Sequence, residues 1–206
     1  ITPQAIKRHK LNDRRSIHSL VYGLFPEGYC ESNRILYSVN ATTANRYQVL
    51  ILSPDQPEAA PSQEIKLETI EVPDDFFRKE SYRFQIDVNP VITTSSRQNT
   101  DMFQAASGGD DKKRREPIRT RDGIRDWFLS RAESTWGFMA NPANLDVQLP
   151  DVHEFHKQDH RVVISIARVS GVLQVNDPER FFLSATKGIG RARAWGCGLL
   201  QLDPIQ

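Results

Sequence analysis

The residues able to do chemistry gather in two places. One is the run Gly188-Ile189-Gly190-Arg191-Ala192-Arg193-Ala194-Trp195-Gly196-Cys197-Gly198-Leu199-Leu200, with four glycines and two arginines in thirteen residues. Glycine tolerates positive φ and has no Cβ, so such a loop lets a bulky partner come close to the backbone. Open amides and guanidinium forks then favour an anion, above all a phosphate. The other place is His18, with Arg14, Arg15 and Tyr22 at i−4, i−3 and i+4, hence on one helical face. Imidazole is the side chain that normally titrates near neutral pH, so His18 can act as a general acid or base. Two neighbouring arginines disfavour imidazolium, and a bound phosphate reverses this. Both places also have plainer readings. The glycines can serve only a helix cap and a tight turn, and a helix-edge histidine can simply be partly exposed.

Other chemistries fit less well. The glycine run follows an expected helix and precedes an expected strand, the reverse of the strand-loop-helix order of a dinucleotide or P-loop site. It also lacks the Gly-Lys-Ser/Thr ending of the P-loop. His153, His156 and His160 invite a metal, but on a strand and hairpin turn those spacings do not bring three imidazoles to one face. Cys30 and Cys197 make neither a disulfide framework nor a four-thiolate site, so a metal and a cofactor are not expected. Two cysteines and the lack of a signal sequence make a reducing, cytoplasmic location the simplest expectation. No apolar run approaches the roughly 20 residues of a membrane helix. With 27 basic and 26 acidic residues the net charge is +1, so bulk charge recruits nothing and distribution matters. Bases cluster at Lys7 to Arg15, Lys112 to Arg121 and Arg191 to Arg193, and acids between Asp55 and Asp87. The charge run Lys112-Lys113-Arg114-Arg115 and the hairpin tip around Lys157 and Arg161 are candidate phosphate contacts, against the alternative of solvated faces.

The elements that must position these groups can be read from periodicity. Asp13 is an expected N-cap for a helix to about Phe25, with Ile17, Leu20, Val21 and Leu24 inward. Arg34 to Val39 and Arg46 to Leu52 alternate as strands, Ile65 to Val72 is ambiguous, and Tyr82 to Val88 is a clear half-buried strand. Thr120 caps an expected helix to about Ser134, with Ile124, Trp127, Phe128 and Ala132 inward. Leu145 to Phe155 and Arg161 to Val169 read as a long hairpin, extended by Val172 to Val175. Asn176-Asp177-Pro178 starts a last helix that ends at Gly188, followed by a closing strand from Leu199 to Leu202. Granting a strand ahead of the first helix, each half follows the β-α-β-β-α-β order of a ferredoxin-like fold. The expectation is an α+β protein of two tandem ferredoxin-like (RRM-like) units, 1–95 and 96–206, divided by the polar stretch from Thr93 to Asp111.

The run from 188 to 200 resembles the C-terminal glycine-rich loop of the CasE family, the CRISPR precursor-RNA endoribonucleases of the type I-E Cascade complex. The likeness extends to the helix bearing Ile17-His18 and ending Leu24-Phe25-Pro26, and to the strand Arg83-Phe84-Gln85-Ile86-Asp87-Val88 with Asn89-Pro90 after it. It also covers Lys113-Arg114-Arg115 before a Trp-bearing helix and Asn176-Asp177-Pro178-Glu179 before the last one. The resemblance implies tandem ferredoxin-like domains and metal-independent cleavage of a CRISPR repeat at the base of its stem-loop. In that reaction the ribose 2′-OH attacks the adjacent phosphate, leaving a 2′,3′-cyclic phosphate and a 5′-OH. It implies that His18 is catalytic and that Arg193 holds phosphate near the reaction. RNA binding is expected of Arg14, Lys112, Lys113, Arg114, Arg115, Lys157, Arg161, Gly188, Gly190, Arg191 and Arg193. The implied partners are the repeat stem-loop or guide RNA and other Cascade subunits, especially the backbone subunit, with no membrane. Some members carry a catalytic tyrosine where this chain has Arg15, and Arg15 is expected to stabilise the phosphorane charge instead. The rival expectation is a subunit that binds guide RNA without cutting it.

Overall fold

The structure, a computed structural model, describes residues 1–29, 33–42, 46–58, 60–73, 75–94, 114–157 and 159–205. The expected sites Lys112 and Lys113 lie outside the described residues.

A short helix α1 (Pro3–Arg8) opens the chain, with the Thr2 side chain accepting from the Ala5 amide and proline at its start. Helix α2 (Arg14–Tyr22) carries His18. Asp13 accepts from the Ser16 amide while the Ser16 hydroxyl accepts from the Asp13 amide, a reciprocal cap that fixes where the helix begins. The regular helix stops at Tyr22, earlier than the apolar pattern implied, and Leu24 and Phe25 bury themselves from the turn that follows. Strands β1 (Leu36–Thr42) and β2 (Arg46–Leu52) form an antiparallel hairpin in full register from Leu36↔Leu52 to Thr42↔Arg46. Helix α2 packs on this hairpin through Ile17, Val21, Leu24, Ile35, Tyr37 and Val39, the first core. Ile65 to Val72, the ambiguous segment, forms no strand.

The second unit is built on an antiparallel sheet of order β10-β3-β9-β6. Its elements are β3 (Ser81–Val88), β4 (Val91–Thr94), β5 (Arg114–Pro117), α3 (Arg121–Arg131), β6 (Phe138–Ala140), β7 (Asp146–Val147), β8 (Asp151–Lys157), β9 (His160–Val175), α4 (Pro178–Lys187) and β10 (Gln201–Pro204). Stripped of β4, β5, β7 and β8, the chain order β3-α3-β6-β9-α4-β10 is the ferredoxin-like βαββαβ. The architecture is thus α+β with ferredoxin-like units in tandem.

Two strands differ from the sequence reading. Tyr82 to Val88, read as closing the first unit, is hydrogen-bonded on both edges inside the second sheet, to β9 from Ser81↔Gln174 to Val88↔Ala167 and to β10. The period-2 pattern identifies a strand but not its neighbours. The two segments 161–169 and 172–175 are one sixteen-residue strand, β9. Gly171 carries it past Asn144 and Leu145, where a Cβ would meet the Asn144 carbonyl at 2.8 Å. The second core lies under α3 and α4 and includes Phe84, Phe128, Trp136, Phe138 and Phe181, with Phe84 and Phe128 stacked at 5.6 Å. None of the described helices is long and apolar enough to cross a membrane.

The units are joined at one buried ion pair. Alternation along β3 buries Tyr82, Phe84 and Ile86, and then Asp87 is buried as well, only 3% exposed, because β1 covers its face. Arg168 of β9 grips Asp87 with two bonds, Nε to Oδ1 at 2.7 Å and Nη2 to Oδ2 at 3.0 Å, and its Nη2 also donates to the Val39 carbonyl of the first unit. Beside it, Gln85 donates to Asn40, Asn40 to Gln201, and Gln201 to Ser38. Removing one member of a buried pair leaves the other charge uncompensated. Asp87→Ala is therefore expected to cost about 3 kcal/mol of unfolding free energy, and the double variant Asp87→Ala/Arg168→Ala less than the sum of the singles. Urea unfolding of the four proteins measures both quantities.

Candidate nucleic-acid interface

His18 stands on α2 one residue past the buried Ile17, half-exposed, with its ring 4.0 Å from Tyr22 and 5.0 Å from Trp195. The helix therefore meets the glycine run directly, although the two lie near opposite ends of the sequence. Trp195 also packs on Phe155 of β8 at 4.6 Å. With Ile164, Ile166 and the buried Cys197, Phe155 forms a small third core between the β8–β9 hairpin and the glycine run. This core holds the loop in place.

The run folds as a tight irregular loop whose glycines have separate tasks. Gly196 has φ +81°, and a Cβ there would press on the Arg14 guanidinium and the Tyr37 ring, each at 2.9 Å. Gly198 has φ +84°, and its Cβ would overlap the Ile189 carbonyl. Glycine alone fits both positions. Gly188 closes α4 with φ 82° and ψ 147°, a glycine-only extended conformation rather than the left-handed helical cap expected from the sequence. Gly190 is exposed with φ 72°. Between them Arg193–Trp195 makes a single turn of 3-10 helix. The Gly198 amide donates to the Asp87 carbonyl at 2.8 Å, and the Ile189 amide to the Gly198 carbonyl at 2.9 Å. The Tyr37 hydroxyl donates to the Ala194 carbonyl at 2.9 Å. Burial pushes the Tyr37 phenol well above its ordinary range, which keeps that donor protonated. The Cys197 thiol is pushed up to about 12, chiefly by burial, so it is a neutral packing group.

A groove of about 720 Å3 opens beside this loop, lined by Arg115, Arg119, Arg191 and Trp195, with Asn89 on one wall and Val163 on the other. Three guanidinium groups with an aromatic ring are suited to a nucleic-acid backbone and a base. The structure thus brings Arg115 and Arg191 to one groove, and His18 lies against Trp195, which lines it. Arg119 was not singled out in the sequence, because it lay in a wider basic stretch with nothing to mark it. Trp195 was passed over inside the glycine run for the same reason.

Other expected residues stand elsewhere. Arg193 is half-buried and its Nη1 donates to the Gly188 carbonyl at 3.1 Å and the Lys187 carbonyl at 3.4 Å, tying the loop to the end of α4. Arg15 donates from Nη1 to the His156 carbonyl at 2.6 Å, bridging α2 to the hairpin. Arg161 is ion-paired with Glu154 across the hairpin by two contacts of 2.6 Å. Lys157 ends β8 opposite His160, and Arg114 starts β5 opposite Thr94.

Arg14 faces a different cavity, of about 340 Å3, together with Asp87, Asp151, His153 and Arg168. Its Nη1 is buried and meets no hydrogen-bond acceptor among the described residues. Among the described residues no three of the His, Cys, Asp and Glu side chains gather closely enough to hold a metal ion. His153 turns into the cavity, whereas His156, three residues on, lies on the other face of the hairpin strand.

The fold and groove define a tandem ferredoxin-like protein with a basic, aromatic-lined cleft. Comparison of the sequence with protein families gives its place: the model described as "CRISPR associated protein" matches residues 1–204, and the chain belongs to that family. Among solved structures, Thermus thermophilus Cse3 bound to an RNA representing a pre-cleavage complex matches with a TM-score of 0.70 at 19% identity, over 96% of this chain and 92% of that one. The Cas6e protein of Escherichia coli K-12 matches with a TM-score of 0.62 at 23% identity, over 94% and 93%. A chain of a CRISPR RNA-guided surveillance complex matches with a TM-score of 0.65 at 16% identity, over 94% and 91%. No curated protein matches the sequence.

His153 gives a pH dependence. Burial first, and the Arg14 charge second, lower its pKa from the ordinary 6.5. The unfolded chain then binds this proton more readily than the folded one, so stability is full above about pH 6.5 and falls as pH drops toward the lowered value. Thermal unfolding between pH 7 and pH 5 is expected to show a smaller loss in His153→Gln than in the wild type.

Proposed function

We propose that this chain is a metal-independent endoribonuclease that cleaves a CRISPR repeat stem-loop RNA and stays on its product as a subunit of Cascade. The observation that supports the reading is the ring contact of His18 with Trp195, a residue that itself lines the groove together with Arg115, Arg119 and Arg191. RNA contains its own nucleophile, so cleavage needs alignment, proton transfer and charge stabilisation rather than a protein nucleophile. The 2′-OH oxygen attacks the adjacent phosphorus and gives up its proton. The bond to the 5′-oxygen of the next nucleotide breaks, and that oxygen takes a proton. His18 serves at one of these two transfers, leaving a 2′,3′-cyclic phosphate and a 5′-OH. The groove arginines stabilise the charge that builds on the phosphorane oxygens.

The relatives support the substrate and the assembly: one is a Cse3 with an RNA representing a pre-cleavage complex, another a member of an RNA-guided surveillance complex. Arg115, Arg119 and Arg191 take the phosphate contacts, and Arg193 shapes the loop that presents Arg191. Such an RNA-processing role belongs in the cytoplasm. One observation favours the second reading, a subunit that binds guide RNA without cutting. Arg15 occupies the family's tyrosine position and spends one donor on His156.

One experiment separates the two readings. In EDTA, with repeat RNA, the wild type is expected to cut and His18→Ala to cut about 100- to 10,000-fold more slowly, with RNA affinity retained. Equal cutting by both proteins, or none by the wild type, would remove the catalytic assignment. For the groove, Arg191→Ala is expected to lower the slope of log affinity against log salt by about 1, as loss of one phosphate contact does. A filter-binding series from low to moderate salt reads that slope.

A further inference from the structure

We infer that Trp195 is a stacking platform for the base of a nucleotide flanking the scissile phosphate. This deepens the proposed RNA reading and rests on it. The indole meets Phe155 at 4.6 Å and His18 at 5.0 Å, both rings tilted against it, and Trp195 also lines the groove that holds Arg115, Arg119 and Arg191. The ring is held rigidly. It lies on a one-turn helix between Ala192 at φ 59° and Gly196 at φ 81°, and the Tyr37 hydroxyl fixes the carbonyl just before it.

A platform of this kind costs little ordering on binding, because its partners already fix its orientation. Its place relative to the chemistry is also constrained. With His18 in ring contact, a base lying on Trp195 belongs to one of the two nucleotides joined by the phosphate on which His18 acts. Stacking on an indole requires an open base face, which a base inside a stem lacks and one at its end or beyond it has, so cleavage is favoured where a stem gives way to single strand. Trp195 thereby becomes a positioning and specificity residue, distinct from the arginines that grip the backbone.

The test uses the full chain and an uncleavable repeat RNA carrying a 2′-deoxy sugar at the attacking nucleotide. Two further RNAs lack the base on one side or the other of the scissile phosphate. For the wild type, removing one of these two bases is expected to weaken binding about five- to hundredfold. In Trp195→Leu the same removal has no effect, and in Trp195→Phe it still weakens binding. The salt slope stays unchanged in both variants, unlike that of Arg191→Ala. Tryptophan fluorescence of the unaltered protein supplies a reading that does not depend on the leucine variant folding. It is quenched by the intact RNA and not by the RNA lacking the stacked base. If base removal costs the wild type nothing at either position, or costs Trp195→Leu as much as the wild type, the platform is overturned. Failure of the wild type to bind any repeat RNA would instead overturn the RNA reading beneath it.

Discussion

The pairing of Asp87 with Arg168 is the constraint on which the rest of the structure depends. Its two bonds lie within the second sheet, but its consequences reach both units and the loop. Arg168 extends to the Val39 carbonyl of β1, so the first unit is docked by the same guanidinium that neutralises Asp87. The Asp87 carbonyl accepts from Gly198, so the residue whose side chain sets the inter-unit contact also anchors the end of the glycine run by its backbone. A bidentate arginine is suited to this because its planar fork fixes orientation as well as distance. A buried ion pair contributes little net stability against an apolar replacement. What it gives here is a defined geometry, since a hydrophobic contact would let the first hairpin slide on the sheet.

From that anchor the route to the chemistry is short. Docking β1 against β3 carries Tyr37 to the loop, where its hydroxyl fixes Ala194. Docking the hairpin also carries α2, and with it His18, against Trp195. Beyond one turn of 3-10 helix and the Ile189–Gly198 bond, the loop takes its shape from what surrounds it. It is held by Gly198 on Asp87, by Arg193 on the end of α4, by the third core beneath Trp195, and by Gly196 making room for Arg14 and Tyr37. His18 on the first unit and Trp195 of the glycine run on the second are thereby held in ring contact.

Much of the local structure was legible in the sequence, and the reasons are physical. Asp13, Thr120 and Asp177 each cap a helix by accepting from an amide three residues on, a short-range rule that needs no tertiary knowledge. The alternation of β3 and the inward faces of α2 and α3 were legible for the same reason. What failed to show was whatever depends on residues far apart. The edge partners of β3 were invisible because period-2 alternation is the same in any sheet. Arg193 and Arg191 look equivalent in sequence, yet one turns back onto the end of α4 and the other lines the groove. Trp195 was hidden because an aromatic between glycines has no periodicity to be read. The first helix, Pro3–Arg8, is too short and too basic for a pattern, although proline at its start and Thr2 before it were cues.

The charge balance of the chain makes sense on the same terms. A net charge of +1 gives no long-range attraction for RNA, so any attraction must come from local separation of charge. Two acids of the second unit are already paired, Asp87 with Arg168 and Glu154 with Arg161. Among the described residues no carboxylate is ion-paired with Arg115, Arg119 or Arg191, and these three share one groove. Neutralising the acids internally leaves the groove cationic against a near-neutral whole. A phosphate chain meeting such a surface would be drawn to the groove rather than spread over it, in a field that falls off within about 8 Å at physiological salt. On the proposed reading, the arginines that would bind the backbone and the histidine that would move the proton work beside one another because the acids around them are paired away.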